Sequence, residues 1–232
     1  DRAMQVPHEG YSPFVPLYLG FSAASAGQFH RAVGLLDAYS RRCLQKGQQA
    51  LSDHTRAVLA YVLTLMGRER EAATTLPDIK DTGSMGYWIA EMVTIHRTFT
   101  SGHVAEAHAR LNDAASRWVR TGMTIRHYPS PWILEMLAEF DRVALAPIPG
   151  YAFPDELERI LSGPNIHLKG VGLRLKARRE RSDRKKQACL IQSETCLTAS
   201  GDPLELSKTR IELARLFLTK GDRRQALAQT LK

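Results

Sequence analysis

Residues 54–72 read HTRAVLAYVLTLMGREREA, and this stretch decides the fold. Leu59, Val62, Leu63 and Met66 recur at i, i+3, i+4 and i+7, the period of a helix with one apolar face. Gly67 then ends the run, because glycine tolerates the left-handed backbone that closes many helices. Five residues later stands Ala72, whose methyl side chain lets a second helix approach closely. The stretch therefore predicts a helix, a tight turn and a second helix packed back on the first.

The same spacing of Gly, four residues and Ala recurs along the chain. It appears as Gly27 to Ala32, Gly67 to Ala72, Gly102 to Ala107 and Gly221 to Ala226, with first intervals of 40 and 35 residues. A weaker copy, DRKKQA, runs from Asp183 to Ala188. The flanks keep the helical period, as in Ala107, Leu111, Ala114, Ala115 and Trp118. Strand alternation and Asn-Gly or Asp-Gly hairpin turns are missing. Ala188 follows Ala107 at an interval of 81 residues, room for one degenerate pair broken by Pro147-Ile148-Pro149-Gly150.

Twelve helices in six pairs follow. The first helices are expected at 14–26, 54–66, 85–100, 131–145, 166–180 and 204–219. Their partners are expected at 29–46, 69–76, 104–121, 155–162, 185–199 and 223–232. The fold class is all-α, a superhelix of antiparallel pairs forming a single helical-repeat domain over 1–232, with an irregular middle pair at about 122–164. Gly122 to Pro131 reads as a long loop. Trp88, Trp118 and Trp132 are expected in the core, since large aromatics supply the area that helix pairs need. The chain does not begin with Met and stops inside a helix-forming run, so it reads as a fragment of a longer protein.

Composition narrows the class. No run approaches 18 consecutive apolar residues, and Asp1 to Gly10 lack the basic start and apolar run expected of a signal peptide. Cys43, Cys189 and Cys196 are too few for a disulfide framework and fit a reducing, cytoplasmic setting. The net charge of +8 is local: eight basic residues against two acidic ones between Arg174 and Lys186 supply +6 of it.

The repeats resemble the tetratricopeptide family. Leu19, Gly20, Gly27 and Ala32 match its pattern in the first repeat, and Leu59, Ala60, Gly67 and Ala72 in the second. Leu213, Ala214, Phe217, Gly221 and Ala226 match in the last, while the fifth has Leu175 followed by Lys176 where a small residue is usual. The 35 to 40-residue spacing, and above all residues 200–226, SGDPLELSKTRIELARLFLTKGDRRQA, resemble sensor repeats of large bacterial transcription regulators, maltose-regulator-like or sigma-54-type. That resemblance implies a module that receives a small effector or a protein partner and relays the event to ATPase and DNA-binding domains. It also implies a binding groove, whose family positions fall on Phe14, Phe21, His54, Tyr61, His96 and Phe99.

No catalytic motif stands out: there is no phosphate-binding Gly-x4-Gly-Lys-Ser/Thr loop, no Gly-x-Ser-x-Gly elbow and no His-Glu-x-x-His helix. His103 and His108 are five apart, on different faces of a helix, which argues against a metal pair. The expectation is a binding module with no catalytic residues, cofactor or metal, whose partner is a protein domain, a peptide or a small effector. A free-standing protein scaffold is the alternative. A third reading places phosphates on the basic patch of Arg174, Arg178, Arg181, Lys185 and Lys186, but no aromatic interleaves these charges to stack a base.

Overall fold

A computed structural model describes residues 14–76, 85–120 and 131–231. Among these residues the fold is all-α, with twelve helices. They are α1 Val15–Ser25, α2 Phe29–Gln45, α3 Gln49–Leu65, α4 Glu69–Thr75, α5 Met85–Thr100 and α6 Val104–Arg120, then α7 Pro131–Arg142, α8 Phe153–Ser162, α9 Ile166–Arg179, α10 Asp183–Ser200, α11 Pro203–Thr219 and α12 Arg223–Thr230. Each coincides with an expected helix. The largest departure is α3, which begins at Gln49 rather than residue 54. The expected loop from Gly122 lies outside the described residues up to Pro131, where α7 starts. No described helix is long and apolar enough to cross a membrane.

One turn recurs because one hydrogen-bond pattern satisfies a helix end. Gly67 is left-handed (φ 70°), its N–H donates to the Thr64 carbonyl, and the Arg68 N–H donates to the Leu63 carbonyl. This is the Schellman closure, which pairs carbonyls that the helix would otherwise leave open. The same two bonds close α1 at Gly27, α2 at Gly47, α5 at Gly102 and α11 at Gly221. After α7 the closure is repeated with Ala144 (φ 57°) in the glycine position, where a Cβ costs energy. Asp222 then caps α12 by accepting from the Gln225 N–H at 3.0 Å, as its position after Gly221 predicts.

The four clean copies bury their alanines: Ala32, Ala72, Ala107 and Ala226 are all 3% exposed or less. The weaker copy does not behave as expected. Ala188 is exposed, and the turn before α10 ends in extended backbone at Glu180 with no glycine. Close approach of α9 and α10 occurs instead at Gly170, where an added Cβ would stand 2.6 Å from Leu197 Cγ. Lys176, the position the repeat pattern assigns to a small residue, is not the point of contact.

Packing divides the chain into two compact units, Asp1–His103 and Val104–Lys232. In unit 1, α1 packs on α2, α2 on α3 and α3 on α4; the first helices also meet, α1 with α3 and α3 with α5. Gly20 lets Leu36 of α2 against α1, and Trp88 is buried. Ser40 of α2 and Ser52 of α3 share a buried hydrogen bond of 3.0 Å. In unit 2, α9 is the hub and packs against α7, α8 and α10; α11 then joins α10 to α12. A core cluster of Ala177, Leu190, Leu213, Leu216, Phe217 and Ala226 holds the last four helices, and Trp118 and Trp132 are buried elsewhere in the unit. Ser193 of α10 repeats the hydroxyl device, donating to the Gly170 carbonyl (2.7 Å) and pairing with Thr209 (3.0 Å).

Candidate functional site

Unit 1 presents the first candidate. Phe14 stands at the N-cap of α1 and Phe21 lies on it, His54 and Tyr61 lie on α3, and His96 and Phe99 lie on α5. The repeat spacing decides who meets whom. Phe14 and His54 each stand thirteen residues before a turn glycine, and Phe21, Tyr61 and His96 each stand six before one. Because α1 packs on α3, repeat-equivalent side chains become neighbours. The rings of Phe14 and His54 are 6.1 Å apart, and those of Phe21 and Tyr61 6.4 Å, both tilted. Phe14 is exposed and Phe21, Tyr61 and Phe99 are half-buried, whereas His54 and His96 are buried. Burial holds the His54 imidazole down at about pKa 4, so it is neutral at physiological pH. The result is an uncharged strip of rings across α1 and α3 that is partly open to solvent.

Unit 2 presents the second candidate, and here the expected basic stripe is corrected. Arg174 is 0% exposed. Its Nη2 donates to Glu135 Oε1 of α7 at 2.7 Å and to Glu205 Oε2 of α11 at 2.5 Å. Lys208 closes the network, with its Nζ 2.8 Å from Glu205 and 3.3 Å from Glu135. Burial alone would raise the Glu135 carboxyl, but Lys208, Arg174 and Arg178 outweigh it and hold it below the usual range. Arg174 Nε and Nη1 have no hydrogen-bond partner among the described residues. One turn along α9, Arg178 binds Glu212 Oε1 through both Nε (2.9 Å) and Nη2 (2.5 Å). Arg179 pairs with Asp141 at 2.8 Å. Much of the basic run is thus spent inside the unit, joining α7, α9 and α11. Arg181 and Lys185 remain exposed, and Lys186 lies 3.9 Å from Asp183.

Glu135, Glu205, Lys208, Glu212 and Arg215 were not expected as site residues. A signal for two of them exists: Lys208 and Arg215 stand thirteen and six residues before Gly221, the offsets occupied by His54 and Tyr61 before Gly67. The remaining histidine of note, His108, has Nε2 2.7 Å from the Ala146 carbonyl and its ring edge-on to Phe140. The three cysteines are free thiols. Among the described residues no group of three His, Cys, Asp or Glu side chains is arranged to hold a metal ion. No protein-family model, curated protein or solved structure matches the chain.

Proposed function

We propose that the chain is a tetratricopeptide-like superhelical binding module, without a catalytic centre, whose recognition surface is the ring strip of unit 1. The observation that carries this reading is the pairing of Phe14 with His54 and Phe21 with Tyr61, each pair one repeat apart on adjoining helices. Tilted, partly exposed rings offer large contact area with little side-chain entropy to lose, the character of binding hot spots. The ligand is a segment of a protein partner or a small effector with an apolar or aromatic group. The resemblance of residues 200–226 to regulator repeats supports a place within a bacterial transcription regulator, where the module relays ligand binding to an output domain. A parent gene encoding an ATPase before this stretch and a helix-turn-helix after it is the finding expected for that role.

The strip is tested by panning a random peptide library against the chain, with the double variant Phe21→Ala/Tyr61→Ala for counter-selection. Peptides that bind the chain and lose about 30-fold or more in affinity for the variant are expected. Unchanged circular dichroism of the variant keeps the comparison fair. Peptides that bind both proteins equally, or none selected, overturn the assignment.

A further inference from the structure

A cleft of about 600 Å³ opens between α9, α10 and α11, far in sequence from the ring strip and of a different chemistry. Its size falls within the range of sites that hold small molecules. Leu190 and Leu216, both nearly buried, form part of an apolar floor. Three cationic side chains line the walls, Arg178, Lys186 and Arg215.

The charges in this cleft do not cancel. Glu212 lines it too, but one of its oxygens already takes both contacts from Arg178. The other lining carboxylate, Asp183, is 3.9 Å from Lys186 and more than half exposed, so the pair is weak. Arg215 has neither an ion pair nor a side-chain hydrogen bond among the described residues. Beyond the rim, Arg181, Arg184 and Lys185 are exposed and add positive potential. The Lys220 ammonium, 2.9 Å from Gln187 Oε1, brings the end of α11 against the start of α10 and keeps another cation nearby.

We propose that this cleft binds a small organic anion, a phosphate or carboxylate head on an apolar body. The head sits between Arg215 and Lys186, where a guanidinium and an ammonium face it, and the body lies over Leu190 and Leu216. A nucleic acid fits less well: the lining offers no aromatic ring for a base to stack on.

The test uses the full chain and four probes: 1-naphthyl phosphate, 1-naphthoate, neutral 1-naphthol and inorganic phosphate. Calorimetry and chemical-shift mapping read the binding. At least one naphthyl anion is expected to bind about tenfold or more tighter than both naphthol and inorganic phosphate, with shifts at Leu190 and Leu216. Which naphthyl anion wins distinguishes a phosphate ligand from a carboxylate one. Arg215→Gln/Lys186→Gln, two side chains at the surface whose loss leaves the core intact, is expected to weaken that binding about tenfold. Equal binding of the anions and naphthol, or no effect of the double variant, overturns the proposal. So does a duplex DNA that binds through the same residues and is not displaced by either naphthyl anion. None of these outcomes bears on the ring strip, which the peptide experiment tests separately.

Discussion

Units 1 and 2 close their helices with the same turn, bury the same small alanines and bridge neighbouring helices with paired hydroxyls. They differ in what they place on the first helices. Thirteen and six residues before the turn glycine, unit 1 has Phe14, His54, Phe21 and Tyr61, while the last repeat of unit 2 has Lys208 and Arg215. Unit 1 therefore joins α1 and α3 through rings, and unit 2 joins α7, α9 and α11 through ions. The shared turn leaves the chemistry at these offsets free, so helices closed in the same way carry two unlike surfaces.

The largest effect that would sharpen this contrast lies at Arg174. Replacing it with Met leaves the two buried carboxylates of Glu135 and Glu205 with Lys208 alone between them and should cost unit 2 about 3 kcal/mol. Hydrogen exchange followed by mass spectrometry should show the loss in α9 and α11 amides and leave α3 unchanged. The triple replacement Arg174→Met/Glu135→Leu/Glu205→Met should recover most of it, since a well-packed apolar core replaces a network whose arginine leaves two nitrogens unpaired. If the triple variant is no better than the single one, the helices are held in register by charge and not by packing.

Next in size is a separation by pH. His54 titrates near 4 in the folded chain and near 6.5 unfolded. Between these values the unfolded state holds the extra proton, so its contribution is complete above pH 6.5 and is lost as pH falls toward 4. The full loss approaches about 3 kcal/mol. Glu135 is depressed below its usual 4.5, so its contribution is complete above that pH and is lost only as pH falls through its lower folded value. Urea titrations at pH 6.5 and 5 should weaken α3 protection before that of α9, and His54→Phe should abolish the difference. Equal weakening in the two units would show that His54 does not set the acid sensitivity of unit 1.

The smallest effect concerns the turn. Ala144 is left-handed where the matching positions of unit 1 are glycine. Ala144→Gly should stabilise unit 2 by up to about 1 kcal/mol, the relief of strain being offset in part by a more flexible unfolded chain. A thermal melt raised by a few degrees checks it. The converse change, Gly67→Ala, should destabilise unit 1 by a similar amount.

Much of this architecture was legible because its signals are local. A turn glycine, a helical period and an early alanine lie within one helix pair, and the twelve expected helices correspond to the twelve among the described residues. Where local signals are weak, the structure departs from the expectation. The expected start of α3 falls late because its first turn, Gln49 to Asp53, offers only Ala50 and Leu51 among polar residues and Gln48 supplies no side-chain cap. The copy ending in Ala188 has the letters of the repeat without the glycine that makes its turn. The six ring positions come from the family resemblance, whereas which rings meet depends on how α1 packs on α3, where Phe14 faces His54 and Phe21 faces Tyr61. The fate of Arg174 could not: its partners lie 39 and 31 residues away on other helices, and a run of eight basic residues looks the same whether its members face water or carboxylates. Gly170, Val171, Gly172, Leu173 and Leu175 around it, small or apolar, were the one hint that this part of α9 is enclosed.

The ion network also bears on how the molecule yields to a pulling force. In unit 1 the contacts run from each helix to its near neighbours, so a load applied at one end can peel helices away in turn. In unit 2 the guanidinium of Arg174 ties helices that are not consecutive, and removing α7 or α9 leaves an unbalanced charge in the buried network of the other two. Stretched, α7, α9 and α11 should hold together and then give way in a single rupture. Under load, unit 1 would stretch like an elastic element and unit 2 would hold and then snap like a brittle one.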